Sequence, residues 1–283
     1  MSLVRTYAVD FKLKKEKEEY IMKSYLIANY HTHTERCQHA WGTEREYIEQ
    51  AIAAGIKILG FSDHVPCPFK DGFVSKIRMR MSQAEEYVHT IRILQEEYQD
   101  KIKLYVGFET EYIPEFFEEQ VELFEKLGCD YMIMGQHFLK SEAEGPYAGR
   151  SHNSAQFLRD YVDSIIEGMK TGYFSYLAHP DLNNYNFDTV IYKKEMHRLC
   201  EAMKELNIPL ELNLLGIMNK KSYPREEFWK IAGIVGNDVI LGIDAHKPEQ
   251  IGHMETYEKA MELVEKYHLK VIEELKLRKL DEI

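Results

Sequence analysis

The sequence predicts an α/β protein in which seven strand and helix units form a closed or nearly closed barrel. Seven short apolar runs recur along the chain, and an amphipathic stretch of helical length follows each of them. Strands that alternate with helices form a parallel sheet with helices on the outside. Seven repeats favour a barrel over an open doubly wound sheet. No glycine-rich phosphate loop follows any run, which weakens a dinucleotide-binding interpretation.

The predicted elements are regularly spaced. The strands cover residues 25–30, 56–61, 104–108, 131–135, 174–178, 208–212 and 239–243. The helices lie near residues 44–54, 82–98, 115–127, 155–170, 191–206, 225–235 and 254–268. Thr43 is a candidate cap for the first helix, and Ser82 with Glu85 forms a candidate capping box for the second. The expected helix ends are Gly55, Gly128 and Gly172.

Composition and charge narrow the class of protein. The chain has 283 residues and a formal net charge of -11, which argues against a nucleic-acid partner because phosphate backbones need clustered Lys and Arg. The sequence contains no transmembrane run and no signal peptide, so we expect a cytoplasmic protein without a membrane partner. Residues 1–21 are predicted to be a tail, non-native or disordered, ahead of a single domain over residues 22–283. Homo-oligomer formation stays open.

The four cysteines form no Cys-x-x-Cys pair and suggest no disulfide framework. We therefore expect reduced thiols, as in most cytoplasmic proteins. Cys37 and Cys67 each lie close in sequence to a histidine motif, which leaves an additional metal ligand open.

Metal-binding residue types follow nearly every predicted strand at its C-terminal end. In chain order they are His31 and His33, Asp63 and His64, Glu109 and Glu111, His137, His179 and Asp181, Glu211 and Asn213, and Asp244 and His246. The active sites of α/β barrels are built from the loops at this end of the strands. The recurrence of such residues at so many strand ends predicts a metal site there.

The individual motifs are ambiguous when taken alone. His31 and His33 point to the same side of an extended segment, so both can reach one cation, but a pair of surface histidines is the alternative. Asp244 and His246 repeat this spacing. Glu109 comes first after its apolar run and is favoured over Glu111 as a carboxylate that bridges two metals.

Four other residues depend on the same context. His39 would be a solvated loop histidine, and His137 and His179 would be buried, hydrogen-bonded histidines, if each stood alone. Asp63 precedes the candidate ligand His64, and it is either an oxygen partner of a ligating histidine or a general acid.

The ordered set of these residues resembles the polymerase-and-histidinol-phosphatase (PHP) superfamily over about residues 25–252. Three segments are most similar to the monofunctional histidinol-phosphate phosphatases of that superfamily. These segments are Gly135-Gln136-His137-Phe138-Leu139, Ala178-His179-Pro180-Asp181-Leu182 and Gly242-Ile243-Asp244-Ala245-His246.

The resemblance implies a distorted (β/α)7 TIM-like barrel that holds two or three divalent metal ions, with zinc, iron and manganese all suited to mixed nitrogen and oxygen ligands. It assigns one metal to His31, His33, Glu109 and Asp244. It assigns a second metal to Glu109, His137 and His179, and a third to His39, His64 and His246.

The resemblance also implies hydrolysis of L-histidinol phosphate to L-histidinol and phosphate, a step of histidine biosynthesis, by attack of a metal-bridging hydroxide. Asp63 and His246 are the candidate catalytic residues. The family's phosphate-holding arginines are not found, and Met218 stands at one of their positions. The candidate substitutes are Arg150 and Lys220, with Lys221 and Arg225 as further alternatives.

Three other functions stay open. One is a related phosphoesterase that acts on a nucleotide, a sugar phosphate or phosphotyrosine. The second is an amidohydrolase-type deaminase, which would leave His39, Asp63 and His64 without a role. The third is a metal-holding structural module without activity, for which we would expect missing ligands.

Overall fold

The computed structural model describes residues 26–70 and 72–278. Eight parallel strands form one sheet in sequence order. The strands are β1 (Ala28–Asn29), β2 (Ile58–His64), β3 (Lys103–Thr110), β4 (Tyr131–Met134), β5 (Phe174–Leu177), β6 (Leu210–Asn213), β7 (Asp238–Gly242) and β8 (Lys270–Val271). The predicted tail over residues 1–21 lies outside the described residues, and the domain boundary at residue 22 stays a prediction.

The sheet curls until the C-terminal ends of β1 and β7 meet. Thr32 and Ala245 form a parallel bridge there. The backbone N–H of His33 donates to the Ala245 carbonyl at 2.9 Å, and the N–H of Ala245 donates to the His31 carbonyl at 3.2 Å. The predicted α/β barrel is thereby confirmed, and its histidine motifs lie at the seam.

The eighth strand was not predicted from the sequence. It contains only Lys270 and Val271, which pair with Asp238 and Val239 at the start of β7. Two residues carry too little alternation of apolar and polar side chains to indicate a strand. β8 extends the sheet at its N-terminal end, on the far side from the histidine motifs.

Helices cover the outside of the sheet at all seven predicted places. They are α1 (Glu44–Ala53), α2 (Ala84–Tyr98), α3 (Pro114–Leu127), α4 (Ala155–Lys170), α5 (Thr189–Glu205), α7 (Glu226–Val235) and α8 (Met254–Tyr267). A short further helix, α6 (Leu214–Met218), follows β6 directly. None of the helices in the described part of the chain is long and apolar enough to cross a membrane.

The predicted helix ends are confirmed in part. Thr43 and Glu46 form a capping box at the start of α1, and Gly128 ends α3 in the left-handed conformation with φ 62°. The capping box expected at Ser82 and Glu85 is wrong. Met81–Gln83 form a 3-10 turn there, and α2 begins only at Ala84, so Ser82 does not occupy the capping position.

The N-terminal mouth of the barrel is filled by an apolar cluster that we call the floor. It comprises Ala28, Tyr30, Ile58, Tyr131, Ile133, Tyr176, Ala178 and Ile240. The segment after β8 packs beneath the floor through Ile272, Leu275 and Leu277. The Tyr30 hydroxyl accepts a hydrogen bond from the Leu275 N–H at 3.3 Å. The barrel therefore has one closed end, and a ligand would enter from the other.

Candidate metal centre

The nine predicted metal ligands converge at the open, C-terminal mouth of the barrel. Their side-chain nitrogen and oxygen atoms form overlapping groups of three, in which all atoms lie within 4.8 Å of one another. The groups are His31, Glu109 and His179; His31, His33 and Asp244; His33, His64 and Glu109; and His39, His64 and His246. Residues that are up to 215 positions apart in sequence thus form one cluster, to which His137 adds a contact with Glu109.

Glu109 lies at the centre of the cluster and is almost fully buried. Imidazole nitrogens surround both of its carboxylate oxygens. Oε1 lies 2.8 Å from His179 Nε2 and 3.6 Å from both His31 Nε2 and His137 Nε2, and Oε2 lies 3.0 Å from His64 Nδ1 and 3.6 Å from His33 Nε2. A carboxylate with two faces toward different imidazoles is suited to bridge two cations.

Two glycines allow the central carboxylates to reach their positions. A Cβ atom at Gly135 would stand 1.8 Å from Glu109 Oε1, and a Cβ atom at Gly242 would stand 1.8 Å from Glu211 Oε1. Any larger residue at either place would displace the carboxylate. Both glycines lie at the C-terminal ends of strands, where the barrel interior passes from the floor to the metal centre.

Asp244 completes the part of the cluster formed by His31 and His33. Its Oδ1 lies 3.2 Å from His33 Nε2 and 3.5 Å from His31 Nε2. Asp244 has φ 56° and His179 has φ 29°, both in the region that non-glycine residues rarely adopt. Such conformations cost about 1–3 kcal/mol and persist where the surrounding structure enforces them. Here they turn the two side chains into the cluster.

His39 and His246 form the outer part of the cluster, nearest to solvent. Their Nε2 atoms face each other at 3.0 Å. His39 Nδ1 donates to the Cys37 carbonyl at 2.7 Å, and His246 Nδ1 donates to the Asp244 carbonyl at 2.9 Å. Because carbonyls only accept, both rings carry the proton on Nδ1 and present the lone pair of Nε2 to the cluster.

The thiol of Cys37 lies close to the same region. Its Sγ is within 4.8 Å of ligand atoms of His33 and His246, and the side chain is fully buried. Burial and the neighbouring Asp63 raise the pKa of this thiol. Cys67 belongs to no such group among the described residues, so of the two cysteines only Cys37 reaches the centre.

The donors fit bound cations. His31 Nε2, His33 Nε2 and Glu109 Oε2 are buried, point into the cluster and form no hydrogen bond with the described residues. A buried polar atom without a partner is costly, so a cluster of them indicates that another group satisfies them. Imidazole nitrogens combined with carboxylate oxygens are typical ligands of zinc, iron and manganese.

The electrostatics also favour positive charge at the centre. Burial opposes ionisation of Glu109, but the imidazoles of His137, His64 and His31 outweigh it and hold its pKa well below the usual value. Burial likewise lowers the pKa of His33, yet the nearby carboxylates of Asp244, Asp63 and Glu109 raise it to about 9. The carboxylates thus favour a proton on His33, and a metal ion would take the place of that proton. At His64 burial outweighs the nearby Glu109 and lowers the pKa to about 3, so that ring is a neutral donor.

Carboxylates behind the cluster orient the imidazoles. His31 Nδ1 lies 2.8 Å from Glu211 Oε1, and Glu211 Oε2 accepts a hydrogen bond from the His179 N–H at 3.0 Å. His137 Nδ1 lies 3.2 Å from Glu111 Oε1. Such contacts fix the ring and leave its other nitrogen for a metal. Glu111 therefore stands behind the cluster while Glu109 stands within it, as the sequence favoured.

Asp63 lies in a similar place behind His33, at ion-pair distance and without a hydrogen bond to the ring. Its Oδ1 lies 3.5 Å from His33 Nδ1, and its Oδ2 accepts hydrogen bonds from the N–H and hydroxyl of Thr34 at 3.2 Å and 2.5 Å. The carboxylate is completely buried. Of the two roles left open by the sequence, this geometry favours the orienting one.

The predicted substrate residues lie on the surface. Arg150 and Lys220 are exposed, and in the described part of the chain neither side chain forms a hydrogen bond or ion pair with a cluster residue. The Arg225 guanidinium lies 3.7 Å from the centre of the Tyr192 ring and donates to the Tyr185 carbonyl at 2.7 Å. The Arg225 side chain is thus bound by other residues of the protein and, among the described residues, forms no hydrogen bond with the cluster.

Two tyrosines at the mouth were missed by the sequence reasoning. The Tyr147 ring lies parallel to His137 with a centroid distance of 6.2 Å, and the Tyr223 ring lies 5.8 Å from His179. Both belong to loops, where no periodicity marks a functional position. The sequence placed Glu211 at a strand end without a role. That position, beside the metal-binding residue types of the other strands, was the signal that could have indicated one.

Comparison with known proteins agrees with this site. The PHP domain profile matches residues 29–214, which is more than half of the chain. A probable histidinol-phosphatase of Deinococcus radiodurans is 28% identical over 241 residues, covering 80% of this chain and 88% of the relative. The histidinol-phosphatase of Bacillus subtilis is 26% identical over 256 residues, covering 79% and 94%.

A solved structure supports the fold. The histidinol phosphate phosphatase of Lactococcus lactis, crystallised with zinc, L-histidinol and phosphate, superposes with a TM-score of 0.67. It is 18% identical in sequence, and the match covers 88% of this chain and 98% of that protein. The profile match, which includes most of the clustered ligands, shows that the chain belongs to the PHP domain family.

Proposed function

We propose that this protein is a metal-dependent phosphomonoesterase and that its substrate is L-histidinol phosphate. The observation that carries the proposal is the set of buried imidazole and carboxylate atoms around Glu109, which lack hydrogen-bond partners among the described residues and face the open mouth of the barrel. The names of the two relatives above, both histidinol-phosphatases, support the choice of substrate.

The ligands would divide among up to three divalent ions. One ion would be held by His31, His33, Glu109 and Asp244, a second by Glu109, His137 and His179, and a third by His39, His64 and His246. When bound, such ions lower the pKa of coordinated water and neutralise the charge of a phosphate ester. Zinc fits this donor set, and iron or manganese would fit it as well.

The protein's own groups hold this arrangement in place. Glu211 and Glu111 each accept from Nδ1 of a histidine and so aim its Nε2 at the centre. Asp63 Oδ1 faces Nδ1 of His33 at 3.5 Å. We propose on this basis that Asp63 orients His33. His246 donates from Nδ1 to the Asp244 carbonyl and presents the lone pair of Nε2, so this geometry supports its role as a metal ligand over the predicted role of protonating the leaving group.

A basic residue, Lys221, is linked to the cluster through a tyrosine at the mouth. Lys221 Nζ donates to the Tyr223 hydroxyl at 3.1 Å, and the Tyr223 ring lies against His179. Among the basic residues proposed to replace the family's arginines, Lys221 therefore has a contact that leads to the cluster. Arg150 and Lys220 remain candidates, although neither side chain has such a contact among the described residues.

Metal analysis followed by phosphate release from a panel of esters tests this function. The panel contains L-histidinol phosphate, a nucleotide, a sugar phosphate and phosphotyrosine. We expect bound divalent metal and the highest kcat/KM with L-histidinol phosphate. Metal without turnover of any ester would refute the phosphatase proposal. A preference for another ester would refute the substrate alone. We also propose that the ligand is a small phosphorylated metabolite and that the protein is located in the cytoplasm.

Replacing Lys221 by Ala tests whether this residue binds the phosphate group of the substrate. We expect a rise in KM of about tenfold, the scale of one hydrogen bond to a charged group, with kcat changed little. Lys193 on α5 offers a matched control, because its replacement by Ala removes a lysine from an exposed helical position. An unchanged KM in the Lys221 variant would refute a role of that residue in substrate binding.

A further inference from the structure

A buried arginine lies directly behind the metal centre, in the segment between β2 and α2. Arg78 is 3% exposed. Its two terminal nitrogens form parallel hydrogen bonds with Glu111, from Nη1 to Oε2 at 3.0 Å and from Nη2 to Oε1 at 3.0 Å. Its Nε donates to Glu142 Oε2 at 2.8 Å, and Nη1 also donates to the Val65 carbonyl at 3.2 Å.

The guanidinium of Arg78 already interacts with groups of the protein itself. Two carboxylates neutralise it, and four of its hydrogen bonds go to protein oxygens. It is therefore not a free cation for a phosphate group. An ion pair this deeply buried also contributes little net stability, because the cost of removing both charges from water offsets their attraction. Neither phosphate binding nor simple stabilisation accounts for it.

The Arg78–Glu111 ion pair contacts the proposed metal ligand His137. Glu111 Oε1, which accepts from Arg78 Nη2, lies 3.2 Å from His137 Nδ1. The other nitrogen of that ring, His137 Nε2, lies 3.6 Å from Glu109 Oε1 at the centre of the cluster. A two-point contact with a planar guanidinium fixes the plane of the Glu111 carboxylate. Its position in turn fixes the His137 ring.

The same arginine joins the loops that carry two ligands. Gln38, next to the ligand His39, donates to the backbone carbonyls of Arg78 at 2.8 Å and Ser75 at 2.9 Å. Glu142, in the loop after β4 that also contains His137, binds both Arg78 Nε and the Ser75 hydroxyl. Three loops at the mouth thus meet around Arg78, one through its backbone carbonyl and one through its buried guanidinium.

We propose that Arg78 is a positioning residue of the metal centre. It fixes the Glu111 carboxylate, so that Glu111 holds His137 with Nε2 facing Glu109. Arg78 touches neither substrate nor metal and acts through His137. This inference rests on the metal binding of the proposed function and does not depend on which ester is the substrate.

The test is zinc affinity, measured by chelator competition together with the zinc content per chain. In Arg78→Gln we expect the affinity of the most affected site to fall about 10- to 100-fold, the usual effect of removing a partner that orients a metal ligand. Arg78→Lys keeps the charge but cannot form two parallel hydrogen bonds, so we expect an intermediate loss. kcat should fall in the same order with KM changed little.

A double-mutant cycle separates positioning from general destabilisation. If Arg78 acts through His137, then Arg78→Gln added to His137→Ala should lower zinc affinity by less than about threefold further, because the two changes remove one interaction. Equal losses in both backgrounds would overturn the proposal. If Arg78→Gln does not fold, as judged by circular dichroism, Arg78→Lys takes its place in the cycle with the same criterion.

Arg92 provides a matched control. It makes a similar two-point pair with Asp130, with both distances 2.9 Å, near the start of β4 and far from the metal ligands. We expect Arg92→Gln to leave zinc affinity unchanged, and a loss equal to that of Arg78→Gln would overturn the proposal. Absence of zinc from the unmodified protein would refute the proposed function itself. Zinc in that protein with unchanged affinity in Arg78→Gln would refute only the role of Arg78.

Discussion

The two mouths of the barrel are built from the same strands but have opposite chemistry. The C-terminal mouth gathers histidines and carboxylates whose inward-facing atoms lack partners among the described residues. The N-terminal mouth is the floor, in which tyrosines and aliphatic residues pack against the segment 272–278. One mouth carries the reactive groups and the other closes the barrel beneath them.

Strand β4 and the residues after it illustrate the change along a single element. Tyr131 and Ile133 belong to the floor, Gly135 makes room for Glu109, and His137 faces the metal centre. Tyr131 and Ile133 face the barrel interior within the strand, and Gly135 and His137 follow beyond its end at the C-terminal mouth. The interior is therefore layered, from apolar through glycine to ligand, and the layers divide stability from function.

The largest expected effect comes from Glu109→Gln at the centre of the open mouth. The amide keeps the shape but loses the charge that would bridge two cations, so we expect loss of metal and a fall in turnover of at least about 100-fold. Metal analysis and phosphate release measure both. Glu97→Gln, at a surface pair with Arg45, is the control. Normal metal content in Glu109→Gln would contradict its central role.

A smaller loss is expected from His39→Ala at the outer part of the cluster. His39 contacts His246 and lies nearer to solvent than Glu109 does. We expect one metal fewer per chain and turnover reduced about 10- to 100-fold, with the inner ions retained. Complete loss of metal would show that the outer ligands are not separable from the inner ones. His89→Ala on α2 is the control.

At the closed mouth, Leu275→Ala combined with Leu277→Ala should affect stability without affecting chemistry. Both side chains are partly buried against the floor, so their loss should lower the free energy of unfolding by about 2 kcal/mol. Denaturant unfolding measures the change, and kcat of the folded protein should stay the same. A clear fall in kcat with unchanged metal content would show that the floor and the metal centre are coupled.

The smallest effect is expected where the two regions meet. The Tyr176 ring belongs to the floor, and its hydroxyl donates to Glu211 Oε1 at 3.3 Å, behind His31. Tyr176→Phe removes one long hydrogen bond, for which we expect about a threefold loss of kcat/KM or less. A loss as large as that of His39→Ala would show that the orientation of Glu211 depends on this tyrosine.

The sequence determined the alternation of strands and helices, and with it the ends at which the ligands lie. This follows because parallel strands in a barrel bring all their C-terminal ends to one mouth. Strand ends and motif spacing could therefore supply ligand candidates, and the resemblance to the PHP superfamily completed the set of nine, including the loop residue His39. The preference for Glu109 over Glu111 also came from the sequence, since only one of them directly follows the apolar run.

Only the tertiary structure decided what stands behind the ligands. Arg78, Glu142 and Tyr147 lie in loops whose approach to the cluster depends on packing between distant segments, which no local pattern records. Backbone conformation was equally hidden, since the positive φ of Asp244 and His179 is imposed by their surroundings. The residue types of the metal centre were thus readable in the chain, while their orientation came from long-range contacts.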